Sequence, residues 1–283
     1  MKFGVNTLIW SAHYDERVRA MLPAIKAWGF DGIEVPAFNP GDFPADQVRK
    51  DCAAFGLECT VISIVTQGLS LISDDAGLRR KTRQHVEDAI KAAANAGSKL
   101  LAGPLYSPVG YFSGTRRTPD EWNRAVEELG ALGGTLVEND VTLAIEPLNR
   151  FETFFLNTTV DGASLCDQIN HPRIGLLIDT FHSNIEEKNI AAGYARAAKH
   201  LKHVHTCEND RGIPGSGHVD WTAVFQTLRE INYDGWLTIE SFGFHLPEIS
   251  AAASIWRDIE LSPDLIASEG IKFLKSRYPR TVD

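Results

Sequence analysis

The stretch VTLAIEPLNRFE, residues 141–152, begins with a short run of aliphatic and β-branched residues, reaches Glu146 and then becomes polar. Three later segments have the same form: GLLID (175–179), LKHVH (201–205) and LTIE (237–240). Because such runs are almost continuously apolar, they are typical of strands that are covered on both faces. The polar residues that end them lie about 26 to 35 residues apart, close to the length of one strand-helix unit. This half of the chain therefore predicts parallel strands joined by helices.

The same alternation extends over all 283 residues. Eight strands are predicted, at Phe3–Ile9, Gly32–Val35, Glu58–Ile64, Lys99–Ala102, Thr142–Ile145, Ile174–Ile178, Leu201–Val204 and Trp236–Ile239. Eight helices are predicted near residues 15–28, 44–55, 74–96, 118–138, 160–169, 189–199, 220–231 and 247–275, with N-caps that include Ser73, Thr118 and Asp220. Eight such units indicate an α/β protein with a single (β/α)8 TIM barrel over residues 1–283. An open doubly wound sheet shares this alternation, but no Gly-rich phosphate-binding turn follows the first strand to support it.

Composition limits the partners of the protein. The chain has 28 Lys and Arg against 37 Asp and Glu, a net charge of −9, and no basic face, so we expect no nucleic-acid partner. No apolar stretch reaches the roughly 18 residues that span a bilayer, so we expect no membrane partner. The N-terminal segment MKFGVNTLIW lacks the pattern of a signal peptide, and the four cysteines form no CxxC pair. Together these features predict a cytoplasmic protein with reduced thiols.

Four polar residues end consecutive predicted strands: Glu146, Asp179, His205 and Glu240. In a barrel the ends of neighbouring strands meet at one rim, where active sites lie. Any one of them alone could be a salt-bridged or capping residue, but three carboxylates brought together repel one another unless a divalent cation binds them. One imidazole and three carboxylates suit Mn, Co or Mg better than a thiolate-rich zinc site does. The sequence therefore predicts one bound divalent metal ion, with Mn preferred.

Further polar side chains follow these strand ends: Asn149, Arg150, Glu152, His182, Glu208 and Arg211. Side chains of these types orient a small polyhydroxylated ligand through several hydrogen bonds, although Arg150 could equally support a ligating carboxylate. Four aromatic residues near strand ends either form an apolar wall against a sugar or pack in the core: Trp10, Tyr111, Phe112 and Phe242. Phe242 is the best placed for the wall because it lies two residues past Glu240.

Four segments carry a resemblance to a known family: EPLNRFE (146–152), IDTFHSNIEE (178–187), HVHTCENDRGIPGSGHVDW (203–221) and YDGWLTIESF (233–242). They resemble the D-tagatose 3-epimerase family of ketose 3-epimerases, and the similarity runs over nearly the whole chain. The resemblance implies a TIM barrel that binds one Mn, Co or Mg ion through Glu146, Asp179, His205 and Glu240. It also implies that Glu152, His182 and Arg211 bind the oxygens on carbons 1 to 3 of an open-chain ketose, and that the protein forms homodimers or homotetramers.

The chemistry of this reaction requires two bases, because a proton leaves carbon 3 from one face and returns to the other. Glu146 and Glu240 end strands three units apart in an eight-strand ring and could flank one carbon. The expected intermediate is a cis-enediolate that the metal ion stabilises as a Lewis acid. We therefore expect Glu146 and Glu240 to be the catalytic residues, with Glu152, His182, Arg211 and Phe242 contacting the substrate.

The identity of the ketose stays open at this point. The segments GVNTLIW (4–10), GPLYSPVGYF (103–112) and CENDR (207–211) depart from the best-known members of the family, so D-tagatose, D-fructose, D-allulose and L-ribulose are all candidates. An aldose-ketose or hydroxypyruvate-type isomerase would use the same metal site. A phosphodiesterase of the endonuclease IV type is disfavoured by the acidic charge, and a non-catalytic sugar-binding protein would not need the paired carboxylates.

Overall fold

Eight parallel strands close into a barrel in the computed structural model, which describes residues 1–278 apart from the side chain of Glu248. The strands are β1 (Lys2–Asn6), β2 (Gly32–Pro36), β3 (Glu58–Ile62), β4 (Leu100–Gly103), β5 (Thr142–Ile145), β6 (Ile174–Asp179), β7 (Leu201–Thr206) and β8 (Trp236–Ile239). They follow one another in chain order, and β1 pairs with β8, so the sheet has no free edge. The predicted (β/α)8 barrel is confirmed. The predicted domain also includes residues 279–283, which lie outside the described residues.

Helices surround the barrel. Within residues 1–278 they are α1 (Glu16–Trp28), α2 (Ala45–Phe55), α3 (Ala76–Asn95), α4 (Pro119–Gly130), α5 (Gly133–Glu138), α6 (Thr159–Ile169), α7 (Thr180–Glu186), α8 (Ile190–Ala197), α9 (Trp221–Glu230), α10 (Pro247–Ala252) and α11 (Pro263–Arg277). Thr118 and Asp220 cap α4 and α9 as predicted. The predicted cap at Ser73 is wrong, because the Asp75 side chain accepts the first free N–H groups of α3.

Three predicted elements differ most from the structure in their limits. The first strand ends at Asn6, whose side chain accepts from the Leu8 backbone N–H and starts a short 3-10 turn. The helix predicted at 118–138 divides into α4 and α5 around residues 131 and 132, close to three glycines with low helix propensity. The helix predicted at 247–275 divides into α10 and α11, and Pro263 fits the first position of the second helix but not a helix interior.

The strand register places polar residues side by side within the barrel. Asn6, Glu34 and Thr60 are direct neighbours across β1, β2 and β3, and Asp179 is the neighbour of His205 across β6 and β7. Apolar side chains fill the space between the strands and the inner faces of the helices. The fold therefore holds a small polar interior in an otherwise apolar core.

None of the helices in residues 1–278 has both the length and the apolar character needed to cross a membrane.

Candidate active site and metal centre

The four strand-end residues meet at the carboxyl-terminal rim of the barrel. Glu146 follows β5, Asp179 ends β6, His205 lies near the end of β7 and Glu240 follows β8. One ligand atom from each lies within 4.8 Å of the others, and all four residues are buried. Each residue reaches this rim for the same reason. It stands at or next to the carboxyl-terminal end of an apolar strand, and in a barrel of parallel strands these ends lie at the same rim.

The arrangement fits a divalent cation. Glu146 Oε1 and His205 Nδ1 are buried without a hydrogen-bond partner, which is costly unless another group binds them. Burial and the neighbouring Glu240 carboxylate raise the pKa of Glu146 well above its ordinary value. Burial also raises the pKa of Asp179, to about 7. A cation among these atoms would relieve the repulsion and keep the carboxylates ionised.

A further acidic residue, Glu34 of β2, holds His205 from the barrel interior. Glu34 Oε1 lies 2.7 Å from His205 Nε2, and Glu34 Oε2 lies 2.8 Å from His203 Nε2. Asn6 and Thr60 donate to the same carboxylate at 3.0 and 3.1 Å. Although burial opposes it, the two histidines hold the pKa of Glu34 well below its usual range. Because His205 Nε2 donates to Glu34, its Nδ1 is the nitrogen left to face the acidic cluster, 3.3 Å from Glu240 Oε1.

The sequence analysis missed Glu34 and His203. A signal for each is present in the sequence. Glu34 interrupts the apolar strand GIEVP, where a charge is expensive unless it is paired. His203 precedes His205 by two residues in a strand, so the two rings point to the same face.

Asn149 orients two of the predicted substrate-binding residues. Its backbone N–H and its side-chain amide lie 3.1 and 2.9 Å from His182 Nδ1, and the amide donates to Glu152 Oε1 at 2.9 Å. Since Nδ1 accepts from the backbone, the ring proton is on Nε2, which lies 3.6 Å from Glu146 Oε1. Burial and Arg211 lower the pKa of His182 well below its ordinary value. His182 therefore presents a neutral ring with an N–H donor to the site.

Arg211 supplies the positive charge of the site. Its Nη1 donates to Asp179 Oδ2 at 2.6 Å and to Glu240 Oε2 at 2.7 Å. The rings of Phe181 and Phe242 have their centroids 4.0 and 4.8 Å from its guanidinium carbon. The Arg211 backbone is left-handed, with φ 67°, in the turn after β7. This conformation directs a long side chain back over the ends of β6 and β8.

Several other polar and aromatic candidates lie outside the cleft over the acidic cluster. Glu208 is completely buried and accepts from the Trp221 indole at 2.5 Å and from the Gly215 N–H at 2.8 Å. Arg150 forms an ion pair with Glu186 at 2.9 Å. Neither Glu208 nor Arg150 lines the cleft over the acidic cluster. Three of the four aromatic candidates do not line it either, namely Trp10, Tyr111 and Phe112, whereas Phe242 does.

That cleft has two chemically different sides. The polar side carries Glu146, Glu152, His182, Arg211 and Glu240, with the apolar Leu148 and Phe242 beside them. The opposite side is built by the loops after β1 to β4 and by α10, and its lining side chains are apolar among those that the structure describes. A ligand in this cleft is therefore bound by polar groups at one end and by hydrocarbon at the other.

Known proteins share this fold and this sequence pattern. Residues 22–277 match the family of xylose isomerase-like TIM barrels. A Synechocystis sp. protein named "Probable ketose 3-epimerase" is 37% identical over 278 residues, covering 98% of this chain and 97% of the relative. The D-psicose 3-epimerase of Ruminiclostridium cellulolyticum is 30% identical over 93% of this chain and 92% of its own length. The crystal structure of D-allulose 3-epimerase from Methylomonas sp. in complex with D-allulose has a TM-score of 0.93 at 26% identity, covering 98% of this chain and 97% of that one.

The fold and these relatives define a carbohydrate isomerase built on a TIM barrel. The chain belongs to the xylose isomerase-like TIM barrel family and, within it, to the ketose 3-epimerases.

Proposed function

We propose that this enzyme inverts the configuration at carbon 3 of a free ketose, with Glu146 and Glu240 exchanging the proton. The observation that carries the proposal is the pair of buried carboxylates from β5 and β8, which line one cleft and belong to one four-residue cluster. Relatives named for this reaction act on D-psicose and L-ribulose, so a ketohexose or ketopentose is the substrate class that we propose.

The two carboxylates have opposed electrostatic surroundings. Burial and Glu240 raise the pKa of Glu146, whereas His205 and Arg211 hold the pKa of Glu240 well below its ordinary value despite its burial. Both carboxyl groups line the same cleft, so one can act as the base while the other acts as the acid. One carboxylate removes the proton from carbon 3, the C–H electron pair moves toward the adjacent carbonyl, and the other carboxyl returns a proton to the opposite face. The substrate is neither oxidised nor reduced.

The other polar residues hold the substrate during this exchange. His182 Nε2–H and the Arg211 guanidinium are donors for the carbonyl and hydroxyl oxygens beside carbon 3. Glu152, oriented by Asn149, accepts from a substrate hydroxyl. Phe242 covers the Arg211 guanidinium and so keeps water from this side of the cleft.

We assign a divalent metal ion to Glu146, Asp179, His205 and Glu240, with Mn preferred over Co and Mg. When bound, such an ion supplies Lewis-acid stabilisation of the negative charge that develops on the substrate oxygens. Glu146 and Glu240 would each need one oxygen free for proton transfer.

A free sugar suits the cleft better than a sugar phosphate. Arg211 is the one cationic side chain among the described residues that line it. Its Nη1 already donates to two carboxylates, Asp179 and Glu240. A phosphate would therefore meet more negative than positive charge here.

The test is isotope exchange in deuterated water with D-fructose, D-tagatose, D-allulose and L-ribulose as separate substrates. The enzyme is supplied with Mn²⁺ and incubated with each sugar. It is then removed, and the sugars are analysed by proton NMR. We expect deuterium at carbon 3 together with the 3-epimer. Deuterium at carbon 1 with an aldose product would instead establish an aldose-ketose isomerase, and no exchange with any sugar would refute both assignments.

A further inference from the structure

Glu208 is an acidic side chain that the proposed reaction does not use, although it lies three residues before Arg211. It is completely buried, whereas residues 215–218 of the loop that surrounds it are exposed. Among the residues that the structure describes, four N–H groups donate to its carboxylate, at 3.1, 2.8, 3.3 and 2.5 Å: the backbone groups of Asn209, Gly215 and Val219 and the indole of Trp221. The loop between β7 and α9 is therefore folded around a carboxylate.

Gly217 shows how closely the loop surrounds this carboxylate. The residue is exposed, yet a Cβ atom at this position would overlap the Glu208 carboxylate and the side-chain oxygen of Asn209. Its φ lies outside the left-handed region, so close packing and not backbone conformation requires glycine here. Glu208 thus fixes the shape of the loop from inside.

Arg211 leaves this loop in a backbone conformation that is rare for a residue with a side chain. Its φ is 67°, and such a conformation persists only where the surrounding structure holds it. The Arg211 N–H donates to the Glu208 carbonyl at 3.1 Å, and the Ser241 hydroxyl donates to the Arg211 carbonyl at 2.5 Å. Glu208 therefore holds the loop through its side chain and the root of Arg211 through its backbone.

We propose that Glu208 is a positioning residue that sets where the Arg211 guanidinium lies over the cleft. Its part in catalysis rests on the proposed epimerisation, in which Arg211 donates to substrate oxygens. Arg211 Nη1 lies 2.6 Å from Asp179 Oδ2 and 2.7 Å from Glu240 Oε2, so a shift of the loop changes both contacts. A misplacement of about 1 Å can cost about a hundredfold in rate.

Two substitutions disturb this carboxylate from different sides. Glu208→Gln keeps the shape of the side chain, but its amide NH2 group would face N–H donors of the loop. Gly217→Ala adds a methyl group to an exposed residue and presses on the same carboxylate without removing a buried charge. Asp210→Asn is the matched control, because it removes a neighbouring carboxylate of the same loop that pairs with Arg257 at the surface.

The first test needs no substrate. ¹⁵N NMR of the full-length protein without added metal follows the Nε–H signal of Arg211, which is identified by its absence from Arg211→Lys. We expect Glu208→Gln and Gly217→Ala to shift and broaden this signal while the circular dichroism spectrum stays the same, and we expect Asp210→Asn to leave the signal unchanged. An unchanged signal in both loop variants, or an equal shift in the control, would refute the proposal.

A double-mutant cycle tests whether Glu208 acts through Arg211 in the reaction. On the ketose with the highest kcat/KM, Glu208→Gln should lower kcat/KM about 10 to 100-fold, mostly through kcat, because charge on the substrate oxygens grows toward the transition state. In the Arg211→Ala background the same substitution should lower kcat/KM less than about threefold, because the guanidinium that it displaces is already gone. An equal loss in both backgrounds would indicate a merely structural role and refute the proposal.

The two measurements separate this inference from the proposed function. If no ketose exchanges at carbon 3, the proposed function fails, and the NMR signal of Arg211 still decides whether Glu208 positions the guanidinium. If carbon 3 exchanges but Glu208→Gln retains full kcat/KM, the epimerase stands and the positioning role is refuted.

Discussion

The two halves of the barrel contribute different things to the cleft. The rim after β5 to β8 supplies the polar side, including Glu146, Arg211 and Glu240. The rim after β1 to β4 supplies hydrocarbon, with Leu8 and Ile64 among its lining residues. Strand β2 contributes a charged residue, Glu34, to the support of the site. Its carboxylate binds His205 from the barrel interior and does not line the cleft. Chemistry is thus concentrated in one half, and the other half shapes and supports it.

The largest effect should come from the polar half. Replacing either carboxylate, by Glu146→Gln or Glu240→Gln, should lower deuterium exchange at carbon 3 by about a thousandfold, because each proposed acid/base is lost with its shape kept. The measurement is exchange by NMR alongside circular dichroism to verify folding. Exposed Glu127→Gln on α4 is the control and should retain full activity. Substantial turnover by either cleft variant would contradict the two-base assignment.

A smaller effect is expected at the residue that joins the halves. Glu34→Gln should weaken Mn²⁺ binding by about 10 to 100-fold, because a neutral amide orients the His205 imidazole less firmly. Calorimetric titration with Mn²⁺ measures this directly, and ¹⁵N NMR of the metal-free protein reports which His205 nitrogen carries the proton. Thr60→Val, which removes one of the hydrogen bonds to the same carboxylate, should weaken binding only a few-fold. Unchanged Mn²⁺ affinity in both variants would show that Glu34 has no role in positioning His205.

The smallest effect is expected in the apolar half. Ile64→Ala removes part of the wall without touching a polar group, so it should raise KM about fivefold and leave kcat within about twofold. Such a pattern indicates loss of contacts made equally in the ground state and the transition state. The measurement is KM and kcat of Ile64→Ala and of the unmodified enzyme on the ketose with the highest kcat/KM. A drop in kcat much larger than the change in KM would mean that this half also takes part in the chemistry.

The comparison also explains what the sequence could predict. Glu146, Asp179, His205 and Glu240 were accessible because each ends an apolar run at a spacing of about one unit, and the barrel topology then requires them to meet. Glu34 was missed because it lies within its strand, where the search for strand-end residues did not look. An apolar wall was considered, but of its four aromatic candidates only Phe242 lines the cleft, because loops and α10 build the wall and their paths depend on packing rather than on strand periodicity. Glu208 and Arg150 were read as ligand-orienting because they follow strand ends, but position in the sequence carries no information on which way a loop side chain turns.

The hydrogen bond between Glu34 and His205 joins residues that are 171 positions apart in the chain. A growing polypeptide therefore makes the support of the proposed metal ligand long before it makes the ligand itself. Glu240, needed for the same cluster, follows only when β8 is in place beside β1. The proposed metal site is therefore completed in one late step, when β8 closes the barrel. A nascent chain that stops before β8 carries several of the acidic residues but has no complete site.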